Sequence, residues 1–434
     1  MSPSPEPSRH QPLPHLPVAV IGGGQAGLSV SHFLMRRGLE HLVFEKHSIG
    51  HAWRAERWDS FCLVTPNWQC RLPGFPYPGP DPDGFMVRDD IVRYVEDFAA
   101  RVKPPIREGV AVTALGRRRD GTFTLSTGAG DFTASNVVVA VSGYHLPVIP
   151  REAERLPEGV LQLHSSRYKN PGQLPPGGVL VVGTGQSGCQ IAEDLHLAGR
   201  QVHVSLGSAP RSPRRYRGRD AIRWLDEMGQ YRMTVADHPK GRAVRRQANH
   251  YMTGRDGGRE IDLRRFAAEG MKLYGRLADV RGTALSFKPD LRAKLDAADA
   301  VYLGIRAMID RHIAETGIAA PAAAPYVPAW EPDGEPLALD LAAAGISAVV
   351  WATGFRSDWS WIDVPAFTGS GYPEHDRGVT AVPGLMVVGL PWLNSWGSGR
   401  FSGIAEDAEH VVDAIVARTV PAEVAALRPM LRQA

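Results

Sequence analysis

The 434-residue chain has only three cysteines, Cys62, Cys70 and Cys189, with no CxxC pair among them. That excludes a disulfide framework and leaves no metal-ligand spacing; a sparse, odd set of thiols suits a reducing cytosol. No stretch approaches the roughly 18–20 apolar residues of a bilayer span. An excess of one charge is missing too: 49 basic against 46 acidic side chains leave a formal +3, too weak a field to imply a nucleic-acid partner. The opening "MSPSPEPSRHQPLPHLP" holds six prolines and no apolar core, so residues 1–16 read as a disordered arm rather than a signal peptide. These absences point to a cytoplasmic chain with no membrane, nucleic-acid or metal partner. Its length exceeds a usual single domain and predicts two.

What is present is one pattern written twice. "VAVIGGGQAGLSV" occupies 18–30 and "VLVVGTGQSGCQI" occupies 179–191. Each reads as a buried strand, a Gly-x-Gly-x-x-Gly turn and the opening of a helix. In the first copy Gly22 permits the tight turn, Gly24 lets the backbone approach a pyrophosphate, and Gly27 lets helix pack on strand. Gln25 and Ala26 open the helix, whose free N–H groups and positive dipole end suit phosphate. "HLVFEK" supplies the next strand and ends on Glu45 and Lys46, with Glu45 placed to accept ribose hydroxyls.

The second copy repeats Gly183, Gly185, Gln186, Ser187 and Gly188, but the place matching Glu45, counted from the first glycine, holds Leu206. The acid that would repel a 2′-phosphate is therefore missing. "GSAPRSPRRYRGRD" follows, rich in arginine, and guanidinium forks bind phosphate well. Arg211, Arg214 and Arg215 are the candidates, and the second site is expected to take NADPH. Two cradles in one chain imply hydride transfer between two dinucleotides. The fold class is α/β with two Rossmann-like domains. The first domain is expected at 17–155 and 340–420, with the second inserted at 156–339. "SAVVWATGFRSD" is read as the return strand, ending on Thr353 and Gly354, and 219–315 as a helical, substrate-facing insert. "NSWGSGRFSG", with Ser398 and Gly399, is a small-residue turn ahead of the last helix. A tail is left at 421–434.

The stretch "GHAWRAERWDSFCLVTPNW" resembles the region that continues under FAD in two-dinucleotide flavoproteins, with Trp53 and Arg54 near the cofactor. Together with both fingerprints, "LHSSRYKN" and "ATGF", it resembles the class B flavoprotein monooxygenases over nearly the whole chain. These include plant auxin-forming, microsomal and Baeyer–Villiger enzymes. The insert resembles bacterial flavoproteins filed under a potassium-transport name, in a subgroup associated with nitrilase gene clusters. The resemblance implies a glutathione-reductase-like architecture, FAD and NADPH as cofactors, and O2 and a small molecule as substrates. It also implies a C4a-(hydro)peroxyflavin. The family signature Phe-x-Gly-x-x-x-His is half present: His164-Ser165-Ser166 matches, while Val160 and Glu158 replace the glycine and phenylalanine. His164 would then act at the domain linker rather than as an acid–base catalyst, and Asn67 is the candidate for a flavin-side asparagine. "WDSFCLVTP" offers no arginine of the Baeyer–Villiger kind, which favours oxygenation at nitrogen or sulfur. A plain reductase or oxidase, or a non-catalytic nucleotide sensor, is the alternative; a homodimer is allowed for.

Overall fold

The computed structural model describes residues 12–367 and 371–419. The apolar run of strand β1 (His15–Ile21) buries alternate residues on opposite faces. Val18 and Val20 enter one core, and Ala19 and Ile21 the other, as expected for a parallel strand covered on both sides. It lies in a sheet with β2 (His41–Phe44), β3 (Ile106–Arg107), β4 (Val112–Arg117), β5 (Phe123–Thr127) and β6 (Gly130–Val139). The spatial order is β3-β2-β1-β6-β5-β4. The neighbours from β3 to β6 pair in parallel, while β4, β5 and β6 form an antiparallel meander. Helices α1 (Gln25–Arg36) and α2 (Arg88–Val102) cover one face.

The second sheet is wholly parallel. Its strands β7 (Leu161–His164), β8 (Gly178–Val182), β9 (Val202–Ser205), β10 (Lys272–Tyr274) and β11 (Ile346–Trp351) run in the order β7-β11-β8-β9-β10. Helix α3 (Gln186–Leu197) follows β8, and α4 (Leu291–Thr316) spans 26 residues. Leu291 and Leu295 anchor α4 on the second core, while Ile305, Ile309 and Ile313 pack with Trp224 in a separate cluster. The chain then returns with β12 (Leu385–Val387), parallel to β6, and α5 (Ile404–Thr419), whose Val411, Val412 and Ile415 share a core with Leu28 and Leu34 of α1.

Three expected boundaries move. Strand β1 begins at His15, which pairs with Thr133, so the arm cannot extend to residue 16; residues 1–11 and the tail at 421–434 lie outside the described residues. The strand read as returning to the first domain, β11, sits between β7 and β8 in the second sheet. The second domain thus runs past 340 to Trp351, and the return strand is β12. The insert is not purely helical either. Residues 272–274 form the fifth strand of the sheet, and Leu277–Arg281, Ala284–Phe287 and Ala338–Asp340 form a small antiparallel sheet.

Candidate active site

The first glycine turn has three steric settings. Gly22 has φ +108°, and a Cβ there would lie 2.6 Å from the Ala140 carbonyl oxygen. A Cβ on Gly27 would lie 1.8 Å from the Gly22 oxygen, so helix and turn touch backbone to backbone. A Cβ on Gly24 meets nothing within 4 Å. That open space lies before the free N–H groups of α1, where a pyrophosphate fits. The Glu45 carboxylate closes the cradle: Oε2 accepts from Gly23 N at 2.7 Å and Oε1 from His47 N at 2.8 Å. Lys46 beside it is exposed, whereas Ala26 is buried in the core.

The second turn repeats each setting. Gly183 has φ +103°, and a Cβ there would lie 2.6 Å from the Ala352 oxygen. On Gly188 a Cβ would clash at 2.0 Å with the Gly183 oxygen, and Gly185 faces open space. Ser187 lies half-buried in the first turn of α3. Leu206 is buried where the first cradle has its acid. In its place Thr184 Oγ1 accepts from Gly207 N at 3.0 Å. The leading glutamines also correspond: Gln25 Nε2 donates to Gly399 O at 3.1 Å, and Gln186 Nε2 donates to Met252 O.

Two of the arginines expected to hold a 2′-phosphate are committed elsewhere. Arg211 is buried and bonds Glu260 at 3.1 Å and Asp262 and Asp299 at 2.9 Å, with the Tyr302 ring 4.2 Å away. Arg214 is buried against Asp220 and donates to Val64 O at 2.8 Å. Both guanidiniums are structural, since taking a buried cation from its acids costs about 3–5 kcal/mol. Arg215 stays exposed and donates to Gly257 O at 3.1 Å. Sequence reading missed Arg276. It is exposed just beyond β10, where Leu206 N donates to Tyr274 O and Leu277 N donates to Ser205 Oγ, both at 3.0 Å. It therefore flanks the acid-free end of β9, and among the described residues no ion pair engages it. Its place is hidden in the sequence because the three residues of β10 are too short a run to read as a strand.

The remaining candidates divide. Trp53 stacks on Phe401 at 5.8 Å, next to the C-terminal turn. Arg54 pairs with Glu96 of α2 and also donates to Ser48 Oγ at 3.3 Å and Ile49 O at 3.5 Å, just past Glu45. Asn67 is corrected: its Nδ2 donates to Asp81 O and its Oδ1 accepts from Met86 N, both at 2.9 Å. Both ends of that buried amide are used to hold a loop. Ser398 Oγ accepts from the Asn394 and Ser395 N–H groups at 3.0 Å, and Gly399 has φ +75° with the Gly389 oxygen 2.7 Å from a Cβ position. These bonds shape the turn leading into α5.

His164 ends β7 at the seam between domains. Its Nε2 lies 3.0 Å from Gly354 O and its Nδ1 3.0 Å from Ser166 Oγ, with Phe355 edge-on at 4.8 Å. Burial holds its pKa below the ordinary histidine value, partly offset by the Gly354 bond. Thr353 Oγ1 donates to Val148 O, and Phe355 and Arg356 pair with Pro147 and Leu146. The two chain crossings between domains are thus stitched together here. Above the C-terminal turn, Val235 N donates to Asn394 O at 2.7 Å, and Tyr231 lies 4.1 Å from Trp396. The insert therefore covers that turn.

The three cysteines are free and buried. Burial pushes the Cys62 and Cys70 thiols up to about 12, far from the thiolate character a redox pair needs. Among the described residues no helix is long and apolar enough to cross a membrane, and no cluster of three or more His, Cys, Asp or Glu is placed to hold a metal.

Residues 19–271, more than half of the chain, match the family model described as pyridine nucleotide-disulphide oxidoreductase. The chain belongs to this family. A Geobacillus kaustophilus (strain HTA426) protein described as an uncharacterized CzcO-like oxidoreductase is 32% identical over 403 residues, covering 92% of this chain and 98% of the relative. The indole-3-pyruvate monooxygenase YUCCA6 of Arabidopsis thaliana is 29% identical over 199 residues, covering 44% of this chain and 47% of that protein. Among solved structures, the flavin-containing monooxygenase from Stenotrophomonas maltophilia is similar with a TM-score of 0.64 at 19% identity, covering 94% of this chain and 100% of the other. The ornithine N-hydroxylase of Kutzneria sp. 744 gives 0.58 at 17% identity, with coverage of 94% and 100%. The resemblance to class B flavoprotein monooxygenases holds across the fold, and this family member is an FAD- and NADPH-dependent oxidoreductase of that kind.

Proposed function

We propose that the enzyme is an NADPH-dependent monooxygenase that places one atom of O2 on the nitrogen or sulfur of a small organic substrate. The observation that carries this reading is the pair of open cradles on two domains stitched at one seam, in a chain whose thiols are isolated and buried. Bound FAD would accept a hydride from NADPH and pass two electrons to O2, one oxygen atom going to substrate and the other to water.

The chain's own residues position, shield and polarise. Gly22, Gly24 and Gly27 would hold FAD on the N-terminus of α1, with Glu45 at its ribose. Gly183, Gly185 and Gly188 would hold NADPH on α3, with Ser187 in reach of its phosphates and Arg276, aided by Arg215, at the 2′-phosphate. The turn of Ser398 and Gly399 presents the α5 N-terminus, whose dipole favours negative charge. His164 is a positioning residue: as the neutral imidazole it ties β7 to Gly354 and fixes the seam across which hydride passes.

A Baeyer–Villiger reading gains one observation. Arg57, immediately ahead of "WDSFCLVTP", stands 5.1 Å from the Trp53 ring, and Arg400 follows directly on the turn of Ser398 and Gly399. The deciding experiment follows NADPH consumption under 18O2 with amines, sulfides and ketones, each product identified by mass. Label in an N-oxide, hydroxylamine or sulfoxide is expected. Label in an ester would favour the Baeyer–Villiger reading. Peroxide equal to NADPH consumed, with no labelled product, would leave a reductase or oxidase.

A further inference from the structure

The C-terminal half of α3 carries an acid that the second cradle does not use. Asp194 is 5% exposed and lies two turns beyond Gln186. Three donors from separate parts of the chain converge on it. Oδ1 accepts from Ser60 Oγ at 2.6 Å and from Arg255 Nη1 at 2.7 Å; Oδ2 accepts from the Tyr168 hydroxyl at 2.6 Å. Ser60 belongs to the loop ahead of α2, Tyr168 to the connection from β7 to β8, and Arg255 to the insert. Tyr168 is fully buried. Burial, and after it the Asp194 carboxylate, push its phenol well above the ordinary value, so it stays a donor.

Other contacts join the same parts around this carboxylate. Asp59 N donates to Lys169 O at 2.8 Å, and Asn170 Nδ2 to Asp59 Oδ2 at 2.7 Å. Trp58 leaves the first domain to sit in the second core with Tyr168 and Cys189. A Cβ on Gly254, next to Arg255, would lie 1.9 Å from Leu63 O, so insert and loop touch backbone to backbone. The helix that opens the second cradle is thereby tied to the flavin-side loop, and both are tied to the insert.

We propose that Asp194 is a positioning residue for hydride transfer: it fixes the direction of α3, and with it the coenzyme held at the helix N-terminus, against the flavin domain. The proposal rests on hydride passing from the second cradle to the first, and not on what O2 then meets. Geometry gives it leverage. From Asp194 to the start of α3 is about 12 Å at 1.5 Å per residue, so a tilt of about 5° moves that end by about 1 Å. A misplacement on the order of 1 Å costs about 100-fold in rate. The phosphate cradle itself would be unaltered. A carboxylate suits the place because all its lone pairs accept; an amide keeps one acceptor oxygen and turns an NH2 toward a donor.

The test compares flavin-loaded wild type with Asp194→Asn and Tyr168→Phe in two measurements. NADP+ titration of the oxidised flavin band gives affinity from the midpoint and placement of the nicotinamide from the amplitude. Midpoints should stay within about twofold, while amplitudes shrink. Anaerobic bleaching by NADPH at saturation should slow about 10- to 100-fold in Asp194→Asn and about tenfold in Tyr168→Phe, one charged hydrogen bond. The double variant should be no slower than Asp194→Asn alone. If Asp194→Asn does not fold, Tyr168→Phe, which removes a single oxygen, makes the same comparison. Wild-type rates and amplitudes in the variants overturn the proposal. So does a lowered urea midpoint with an unchanged rate per bound flavin, which gives Asp194 to stability alone, or a loss confined to NADP+ affinity. A wild type that NADPH cannot bleach would contradict the hydride reading itself and take the proposal with it.

Discussion

The two glycine cradles solve the same steric problem with different chemistry at one junction. In each, the first glycine takes a positive φ under a carbonyl, the third abuts the first, and the middle one faces open space. At the end of the second strand they diverge. Glu45 reaches back to accept from Gly23 N, whereas Thr184 in the turn accepts from Gly207 N beyond β9. The same gap is closed from opposite sides. Only the first closure leaves a carboxylate where a ribose would lie, so backbone geometry specifies a dinucleotide and the strand-end side chain specifies which one. The helices differ too: the residue seven places after the leading glutamine is His32 in α1 and Glu193 in α3.

The largest test of this parallel is steric. Gly27→Ala and Gly188→Ala place a methyl within 1.8 and 2.0 Å of a carbonyl oxygen, and each should cost about 3 kcal/mol or more in urea unfolding. If either variant keeps wild-type stability, close helix–strand contact is not what the third glycine secures. Gly24→Ala and Gly185→Ala should behave oppositely, since their methyls enter empty space. Stability should change by less than about 1 kcal/mol, yet ligand affinity should fall about 100-fold, near 2.7 kcal/mol. Gly24→Ala should lose flavin; Gly185→Ala should keep it and bind NADP+ poorly. Loss of flavin from both would mean that the cradles are not independent.

A smaller effect separates the helices by pH. Burial, eased partly by Thr253 and Arg259, pushes Glu193 up to about 7. The folded chain therefore holds a proton there that the unfolded chain releases near its ordinary value of about 4.3. Stability from this group is present below that value and is lost as pH rises through about 7. Glu193→Gln should thus raise stability by up to about 3 kcal/mol at pH 8 and by little at pH 4, read from denaturation midpoints at both. The smallest effect is at the second strand's end. Arg276→Ala should weaken NADPH by about tenfold, one charged contact, and leave NADH unmoved. Equal loss for both coenzymes would remove Arg276 from the 2′-phosphate.

Both cradles were legible in the sequence because their constraints are local: three glycines, a strand before and a helix after. What escaped depended on distant partners. The apolar run of β11 has the same composition whichever sheet accepts it, and only its register against His164 and Val182 decides. Arg211 and Arg214 looked like free phosphate ligands because Glu260, Asp262 and Asp299, which neutralise Arg211, lie far along the chain. Asn67 has the right residue type, but its amide is consumed by Asp81 and Met86.

Communication between the cradles is tested most directly by mixing the flavin-loaded enzyme with NADPH in the absence of oxygen and watching the yellow band. Bleaching at one equivalent of NADPH, much slower with NADH, is the expected result. A flavin that stays yellow under NADPH would contradict hydride transfer across the seam held by His164 and Gly354.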